Sequence, residues 1–339
     1  MELNFDALVV GAGYAGAVCA RELAERGGKR VLVLERRDHI GGNAYDRLDE
    51  AGVLIHQYGP HIFHTNSTRV FDYLSRFTRW RPYEHQVVAN LPDGDGRLEY
   101  PVPFNLVSLR AAFPPEKARA LAEKLVSAYG MEKKVTILEL RQNPDPELSA
   151  LADYVYGHVF VRYTMKQWGQ TPEEIDPNTT ARVPVFLSED CRYFQDAYQG
   201  MPLEGYTPMF QSLLDHPDIT VELGVDAASR LTLDGSAALL DGRPFSGPII
   251  YTGAADELFG CKYGRLPYRT LDFRFETHPV DFWQSHGTVN YTVDQDYTRI
   301  TEFKYLTGQE LPGQTTIMKE YSRAYTGAKG EIPNYAIIN

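Results

Sequence analysis

Three glycines near the start of the chain have the spacing Gly-x-Gly-x-x-Gly, which is typical of a turn that binds a diphosphate. Gly11 would allow a tight turn, Gly13 would let the backbone approach a pyrophosphate, and Gly16 would let a helix pack closely on a sheet. Glu35 follows at a distance where an acid can accept hydrogen bonds from an adenosine ribose. The pattern therefore predicts dinucleotide binding.

The flanking residues predict the elements that would position these groups. Residues 7–10 and 31–34 are short apolar runs typical of buried strands, and residues 17–26 between them are good helix formers. Gly27 and Gly28 would end that helix, because glycine readily adopts the left-handed conformation after a helix end. A glycine-rich turn in some other strand–helix–strand unit is the structural alternative.

A second glycine pair, Gly41 and Gly42, comes shortly after Glu35 and precedes Asn43. NAD-binding units rarely need such a pair, whereas flavoproteins similar to the amine oxidase and glutathione reductase group often have one. We therefore expect the dinucleotide to be FAD, with a plain loop that happens to carry two glycines as the alternative.

The stretch from Tyr58 to Thr65 contains two histidines that could meet a cofactor. Gly59 and Pro60 break regular structure, so His61 and His64 are not expected to share a helical face and bind a metal. The three cysteines are far apart and lack metal-ligand spacing. We expect no metal site and a loop that brings His61 to the cofactor, with two surface histidines as the alternative.

Composition excludes several classes of protein. The 339 residues suffice for two or three domains, and 43% are hydrophobic. A net charge of −11 disfavours a general nucleic-acid partner. Without a secretory leader or an apolar run long enough to span a bilayer, and with so few cysteines, the chain is expected to be cytoplasmic.

Beyond the first unit, residues 106–166 are predicted to be mostly helical, and the chain after Gly264 alternates as antiparallel strands do. Trp168 is expected on a loop that can move, because glycine and proline follow it. Alternation places Arg299 on one strand face and Glu302 with Lys304 on the other, where a solvated face is the simplest interpretation.

Several longer segments resemble bacterial UDP-galactopyranose mutases and occur in that family's order across nearly the whole chain. The matching segments are GAGYAGAVCARELAERG, ERRDHIGGNAYD, YGPHIFHT, YTMKQWG, ARVP, RYFQDAYQGMPLEGYTPMF, YTGAADELFG, GRLPYRTLDF, YTRITEFKYL and GAKGEIPNY.

The resemblance implies an α/β fold in which a Rossmann-like FAD-binding domain carries an inserted helical domain and a six-stranded antiparallel β-sheet domain. The FAD-binding domain would comprise residues 1–80, 205–264 and 325–339. The helical lid domain would comprise residues 104–172, and the sheet domain residues 81–103, 173–204 and 265–324.

The implied activity is the interconversion of UDP-galactopyranose and UDP-galactofuranose without net redox change. Reduced FAD would attack the anomeric carbon through its N5 atom. The partners would be a UDP-sugar, an external flavin reductant and a second copy of the chain in a homodimer.

The residues that match the family's motifs take implied roles from it. Those implied to hold FAD are Gly11, Gly13, Gly16, Glu35, Gly42, Asn43, Tyr58, Gly59 and His61. Those implied to bind substrate are Phe160, Tyr163, Trp168, Arg182, Tyr198, Asn290, Arg299 and Tyr321. Among these, His61 beside the flavin ring and Arg299 on the diphosphate are the implied catalytic side chains.

One departure from the family bears on activity. Where the family has a second arginine that contacts the diphosphate, this chain has Phe186. Losing a charged hydrogen bond to phosphate costs about 1.5–3 kcal/mol. Arg182, Arg192 or Arg323 could take its place.

Other readings stay open beside the galactose mutase. The substitution at Phe186 also fits a mutase acting on another nucleotide sugar, such as UDP-N-acetylgalactosamine, or a non-catalytic relative that binds flavin or a nucleotide sugar. An ordinary flavin oxidase or dehydrogenase is the remaining class.

Overall fold

The structure is a computed structural model that describes residues 4–170, 174, 184–235 and 237–336. The chain divides into two compact units. The first comprises Met1–Pro82 and Tyr198–Leu266, and the second comprises Tyr83–Ala197 and Pro267–Asn339.

The strands in chain order are β1 (Ala7–Val10), β2 (Val31–Glu35), β3 (Asp46–Leu48), β4 (Leu54–His56), β5 (Phe63–Thr65), β6 (Trp80–Pro82), β7 (Val87–Asp93), β8 (Gly96–Val102), β9 (Lys134–Val135), β10 (Val185–Phe186), β11 (Tyr198–Pro202), β12 (Ile219–Leu223), β13 (Leu231–Asp234), β14 (Ala237–Leu240), β15 (Arg243–Pro244), β16 (Ile249–Tyr251), β17 (Tyr268–His278), β18 (Thr288–Tyr291), β19 (Arg299–Glu302), β20 (Thr315–Ala324) and β21 (Tyr335–Ala336). The α-helices are α1 (Tyr14–Glu25), α2 (Thr68–Leu74), α3 (Leu106–Ala112), α4 (Pro115–Tyr129), α5 (Ile137–Arg141), α6 (Pro146–Val155), α7 (Arg162–Trp168), α8 (Tyr206–Leu214), α9 (Ala255–Leu258) and α10 (Phe303–Thr307).

The first unit is built on a four-stranded parallel sheet of order β12-β2-β1-β16. Strands β1 and β2 are buried along their whole length, as expected of parallel strands covered on both faces. Helix α1 makes the crossover between them and buries only small residues, Gly16, Ala17, Ala20 and Ala24. The predicted Rossmann-like unit is confirmed.

The second unit is built on a seven-stranded sheet of order β21-β17-β20-β19-β18-β7-β8. Neighbouring strands are antiparallel except β18 and β7, which are parallel. The resemblance implied six antiparallel strands. The seventh is β21, which pairs with β17 and forms the edge of this sheet rather than joining the cofactor-binding unit.

The helical segment packs on this sheet instead of standing apart from it. Leucines of α3 to α6 and strand residues such as Val87 and Tyr100 share one hydrophobic cluster. The helices and the sheet therefore bury a common core within one unit. Strand β11 also differs from the predicted division, because it pairs with β5 and β6 of the first unit.

Trp168 is the last residue of α7, not a loop residue as predicted. Gly169 ends this helix in the left-handed conformation, with φ of 65°. The glycine was correctly seen as a break, but the break falls after the tryptophan.

Glu302 and Lys304 are buried, which corrects the interpretation of a solvated face. The Glu302 side chain accepts hydrogen bonds from the backbone N–H of Trp283 at 2.9 Å, from that of Gln284 at 3.0 Å and from the Thr315 hydroxyl at 2.7 Å. Its carboxylate therefore holds the loop after β17 against the start of β20.

We expect Glu302→Gln to lower the free energy of unfolding by about 1–3 kcal/mol, because an amide would turn a donor toward groups that are themselves donors. Urea denaturation measures this, with Glu310→Gln as the control, since Glu310 is exposed. Equal unfolding midpoints for the two variants would contradict the assigned role of Glu302.

Candidate functional site

The first glycine loop leaves no room for side chains. Gly11 has φ of 102°, and a Cβ there would lie 2.2 Å from Oγ1 of Thr252. A Cβ on Gly16 would lie 1.9 Å from the carbonyl oxygen of Gly11. Helix α1 thus packs directly on the turn that follows β1, as the spacing predicts.

The second glycine pair lies against the first loop. Gly42 has φ of 58°, and a Cβ on it would lie 2.8 Å from the Cα of Gly13. The N–H of Gly41 donates to the carbonyl of Ala12 at 2.9 Å. The two loops therefore form one surface made of backbone atoms. A Cβ on Gly13 or on Gly42 would occupy the space between the loops.

Glu35 at the end of β2 organises this surface. Its Oε2 accepts from the N–H of Ala12 at 2.8 Å, and its Oε1 accepts from the N–H of Arg37 at 2.9 Å. The carboxylate is buried with 6% of its residue surface exposed. Besides the ribose contact predicted from sequence, it has a structural task that the sequence did not indicate.

Arg37 is a functional candidate that the sequence analysis missed. Its Nη2 donates to Oδ1 of Asn43 at 2.8 Å, and its guanidinium lies 4.2 Å from the ring centroid of Tyr58. Its Nη1 is buried without a hydrogen-bond partner. Burial lowers the pKa of Arg37, although Tyr58 and Glu35 oppose that effect.

These features fit a dinucleotide. The N-terminus of α1 has no side-chain cap, so its N–H groups and dipole are available to an anion. The unpartnered Nη1 of Arg37 can donate a hydrogen bond to a negatively charged ligand. Gly13 and Gly42 lack side chains, so a ligand can approach their backbone closely. Gly11, Gly13, Gly16, Glu35, Gly42, Asn43 and Tyr58 are all brought to this region or its immediate support.

His61 is held in one orientation. Its Nδ1 lies 2.9 Å from the carbonyl oxygen of Gly59, so Nδ1 carries the proton and Nε2 keeps its lone pair. Its backbone N–H donates to Nδ1 of His56 at 3.0 Å, and its carbonyl accepts from the hydroxyl of Tyr206 at 3.1 Å. Burial lowers the pKa of His61, which favours the neutral ring near pH 7.

Tyr198 also belongs to the first unit. Its ring stacks on Phe71 at a centroid distance of 4.3 Å, and its hydroxyl lies 3.1 Å from that of Thr68. The structure therefore fixes the direction of this phenol within the unit that holds His61.

In the second unit, Arg299 forms an ion pair with Glu320 across two neighbouring strands. The Arg299 Nε lies 3.0 Å from Oε2 of Glu320, whose side chain is 1% exposed. Burial raises the pKa of Glu320, and Arg299 counteracts that rise. Burial alone would lower the pKa of Arg299, but Glu320 and the neighbouring phenols together raise it above its usual value, so the guanidinium stays charged.

Two phenols lie next to this ion pair. Tyr163 and Tyr335 both interact electrostatically with Arg299 and Glu320. Burial raises the pKa of both phenols, so their hydroxyls remain protonated. A fixed cation with neutral O–H groups beside it suits an anionic ligand such as a phosphate.

The other predicted substrate residues divide between this cluster and the rest of the unit. Asn290 is directly opposite Arg299 on β18, and the Trp168 ring lies 6.1 Å from that of Tyr335. Phe160 is in the helical core with 4% exposed. Tyr321 neighbours Glu320 and so faces the opposite side of the sheet, where Arg274 lies 4.1 Å from its ring. Arg182 lies outside the described residues.

Phe186 is a core residue of β10. It is 4% exposed, and its N–H donates to the carbonyl of Phe104 at 2.8 Å. Two of the arginines considered as replacements for the family's arginine form other ion pairs. Arg192 pairs with Asp190 and Glu84, and Arg323 pairs with Asp272 and Glu331.

Glu320 and Tyr335 were not found from the sequence. Glu320 had a detectable signal, since it is a carboxylate on the same strand face as the buried Met318. Tyr335 had no such signal in the sequence, because it is brought near Arg299 and Glu320 by the pairing of β21 with β17.

Two classes of site are absent from the part of the chain that the structure describes. No group of three metal-ligating side chains is clustered there. Likewise, none of the helices in those ranges combines the length and the apolar character needed to cross a membrane.

Solved structures share this fold. A crystal structure of a reduced UDP-galactopyranose mutase matches with a TM-score of 0.62 and 16% identity, covering 94% of this chain and 74% of that one. A cyclohexylamine oxidase from Brevibacterium oxydans matches with a TM-score of 0.54 and 17% identity, covering 94% and 75%. These two likenesses show that the chain shares the fold of those proteins, and the glycine cradle marks its dinucleotide-binding unit.

Comparison of sequences gives the family. Residues 158–339 match the model described as UDP-galactopyranose mutase, and residues 9–77 match an NAD(P)-binding Rossmann-like domain. The UDP-galactopyranose mutase of Mycoplasma pneumoniae is 36% identical over 93% of this chain and 78% of its own length. A probable UDP-galactopyranose mutase of Klebsiella pneumoniae is 37% identical, covering 98% and 82%. The dTDP-fucopyranose mutase of Escherichia coli is 36% identical, covering 97% and 84%.

The chain belongs to the UDP-galactopyranose mutase family, which confirms the resemblance seen in its motifs.

We expect Gly42→Ala to yield protein with little bound flavin, because its Cβ would collide with the Cα of Gly13. Gly28→Ala is a matched control, since Gly28 has φ of 59° but nothing within 4 Å of an added Cβ. Flavin absorbance per protein after purification measures the difference. Equal flavin content in the two variants would show that the contact between the loops does not matter.

Proposed function

We propose that the protein interconverts UDP-galactopyranose and UDP-galactofuranose. The observation that carries this proposal is the buried ion pair of Arg299 and Glu320 with Tyr163 and Tyr335 beside it, in a chain of this mutase family. Arg299 is paired with Glu320 at its Nε and also interacts with the phenol of Tyr335, and the planar guanidinium matches the geometry of phosphate oxygens.

The flavin is proposed to be FAD, held at the cradle of Gly13, Gly42 and the N-terminus of α1, with Arg37 and Glu35 supporting it. When bound and reduced, FAD supplies the nucleophilic N5 for the anomeric carbon, and the reaction needs no net redox change. The external reductant, the homodimer and the cytoplasmic location stay predictions.

The side chains of the protein would bind the nucleotide sugar and orient it. Arg299 would neutralise diphosphate charge as it moves between bound and leaving states, with Asn290 and Tyr163 near the same ligand. Neutral His61 would present Nε2 as an acceptor, because its Nδ1 proton is engaged by Gly59. The substrate-binding roles that the resemblance implies for Phe160, Trp168, Tyr198 and Arg182 stay part of this proposal.

A second candidate is a mutase for another nucleotide sugar. It is favoured by the similarity to the dTDP-fucopyranose mutase of Escherichia coli and by the buried Phe186. A non-catalytic relative that binds flavin or nucleotide sugar is the third reading, and it differs by lacking turnover.

The decisive experiment incubates purified, dithionite-reduced protein carrying FAD with UDP-galactofuranose, and chromatography detects UDP-galactopyranose. We expect conversion that requires reduction. UDP-N-acetylgalactosamine and dTDP-fucose in their furanose forms are run in parallel. Turnover of one of these alone would transfer the assignment to that sugar, and binding without any turnover would favour the non-catalytic relative.

Arg299→Lys should weaken UDP binding by about 10- to 100-fold, because lysine keeps a cation beside Glu320 but loses the guanidinium fork. Isothermal titration of UDP into the flavin-loaded protein measures this. Arg274→Lys is the matched control, since Arg274 lies on the opposite face of the same sheet, over Tyr321. A larger loss in the control would move the phosphate site to that face.

A further inference from the structure

Lys166 on α7 reaches into a loop and binds three backbone carbonyls. Its Nζ donates to the carbonyl oxygens of Tyr291, of Gln295 at 3.0 Å and of Tyr297 at 3.2 Å. An ammonium has three N–H donors, so each donor has one carbonyl. The loop of residues 292–298 is thereby wrapped around a single side chain.

This loop joins the two strands that carry Asn290 and Arg299. Its ends are closed by hydrogen bonds from the N–H of Tyr291 to the carbonyl of Thr298 at 3.0 Å, and from the N–H of Thr298 to that of Glu320 at 2.8 Å. The position of the loop therefore bears directly on the start of β19, where Arg299 stands.

The residue that follows Lys166 in α7 is fixed to the sheet. The carbonyl of Gln167 accepts from Nε of Arg269 at 3.1 Å and from the hydroxyl of Ser322 at 2.6 Å. One short helix thus connects the edge of the sheet to the loop, and it also carries Tyr163 and Trp168.

We propose that Lys166 is a positioning residue: by holding the three loop carbonyls, it sets where Arg299 stands relative to Tyr163 and Trp168, and so sets the affinity for the diphosphate. This inference rests on the proposed function for its ligand. It adds a residue that touches neither cofactor nor substrate and acts through the loop.

The charge of Lys166 matters because a neutral amine has only two N–H donors for the three carbonyls. Burial lowers the pKa of Lys166 to about 8, although Asp294 and Asp296 oppose this. Below that pH the ammonium holds all three carbonyls, and above it one contact is lost. Affinity for UDP should therefore fall as the pH rises through about 8.

The charged and titratable groups that face Lys166 are Asp294, Asp296, Arg97, Tyr291 and Tyr297. Burial raises the pKa of both phenols, that of Tyr297 to about 12. The Arg97 guanidinium lowers the pKa of Asp294 and is itself kept charged by that carboxylate. Among these groups, Lys166 is thus the one expected to change charge between pH 7 and pH 9.

The test is isothermal titration of UDP into the flavin-loaded wild type, Lys166→Arg and Lys166→Gln, at pH 7 and pH 9. At pH 7 we expect Lys166→Gln to bind roughly fivefold or more weakly, as is typical of coupling between sites, and Lys166→Arg to retain most of the affinity. Between pH 7 and pH 9 the wild type should lose affinity relative to Lys166→Arg, since arginine stays charged. The diphosphate and uracil titrate equally in both proteins, so they cancel in this ratio.

Lys304→Gln is the matched control. Lys304 is also buried and also donates to three carbonyls, those of Asp281 at 2.9 Å, Leu311 at 2.5 Å and Gln314 at 3.0 Å, in other loops. It should lose stability without losing UDP affinity. An equal loss of affinity in this control would reduce Lys166 to a structural role.

A second readout needs no ligand. Hydrogen exchange of peptides covering residues 291–298, compared at one pH, should be faster in Lys166→Gln than in Lys166→Arg. Unchanged exchange and unchanged UDP affinity would overturn the inference while leaving the proposed function intact, whereas a wild type that does not bind UDP would overturn the proposed function first. If Lys166→Gln does not fold, the pH comparison of wild type with Lys166→Arg decides alone.

Discussion

The second compact unit depends on an ion pair that lies inside its sheet. A carboxylate without contact to water loses its hydration, and only a close, correctly placed cation compensates for that loss. Glu320 is in this position, with the Nε of Arg299 at 3.0 Å. Displacing Arg299 would leave an uncompensated buried charge, so folding has already fixed the direction of the guanidinium that a diphosphate would meet.

The strand that carries Arg299 is also fixed at both ends. Lys166 holds the loop before β19, and Lys304, just after it, holds two further loops. Both lysines satisfy three carbonyls with three donors, which removes the cost of burying an ammonium without acceptors. The same chemistry therefore holds the chain before and after β19, and of these three loops only the one bound by Lys166 leads into Arg299.

The first unit has a different requirement, because its backbone must come close to a charged ligand. Gly13 and Gly42 lie so close that a Cβ on Gly42 would come within 2.8 Å of the Gly13 Cα. Glu35 ties the first loop to the segment after β2 through two backbone N–H groups. An acid that a sequence pattern assigns to a ribose thus also builds the surface on which the ribose would lie. Rigid support of this kind lowers the cost of ordering the site when the ligand binds.

The sequence by itself determined those features that depend on residue types and spacing within a short segment. The Rossmann-like unit, its glycine turns, the hydrophobic strands β1 and β2 and the family could all be predicted, because spacing along the chain is preserved within one strand–helix–strand unit. Arg299 could also be singled out, since its motif is continuous.

Only the tertiary structure decided which side chains share a face and a cluster. Tyr321 was predicted to bind substrate, but it lies on the face opposite Arg299. Its neighbour Glu320 lies beside the arginine, because a shift of one residue in a strand reverses the side chain. Tyr335 joins through an edge pairing distant in sequence, and Phe186 is buried on a strand that bonds to the distant Phe104. Strand register and burial are set by contacts between segments far apart in the chain, and a sequence read along its length does not contain those distances.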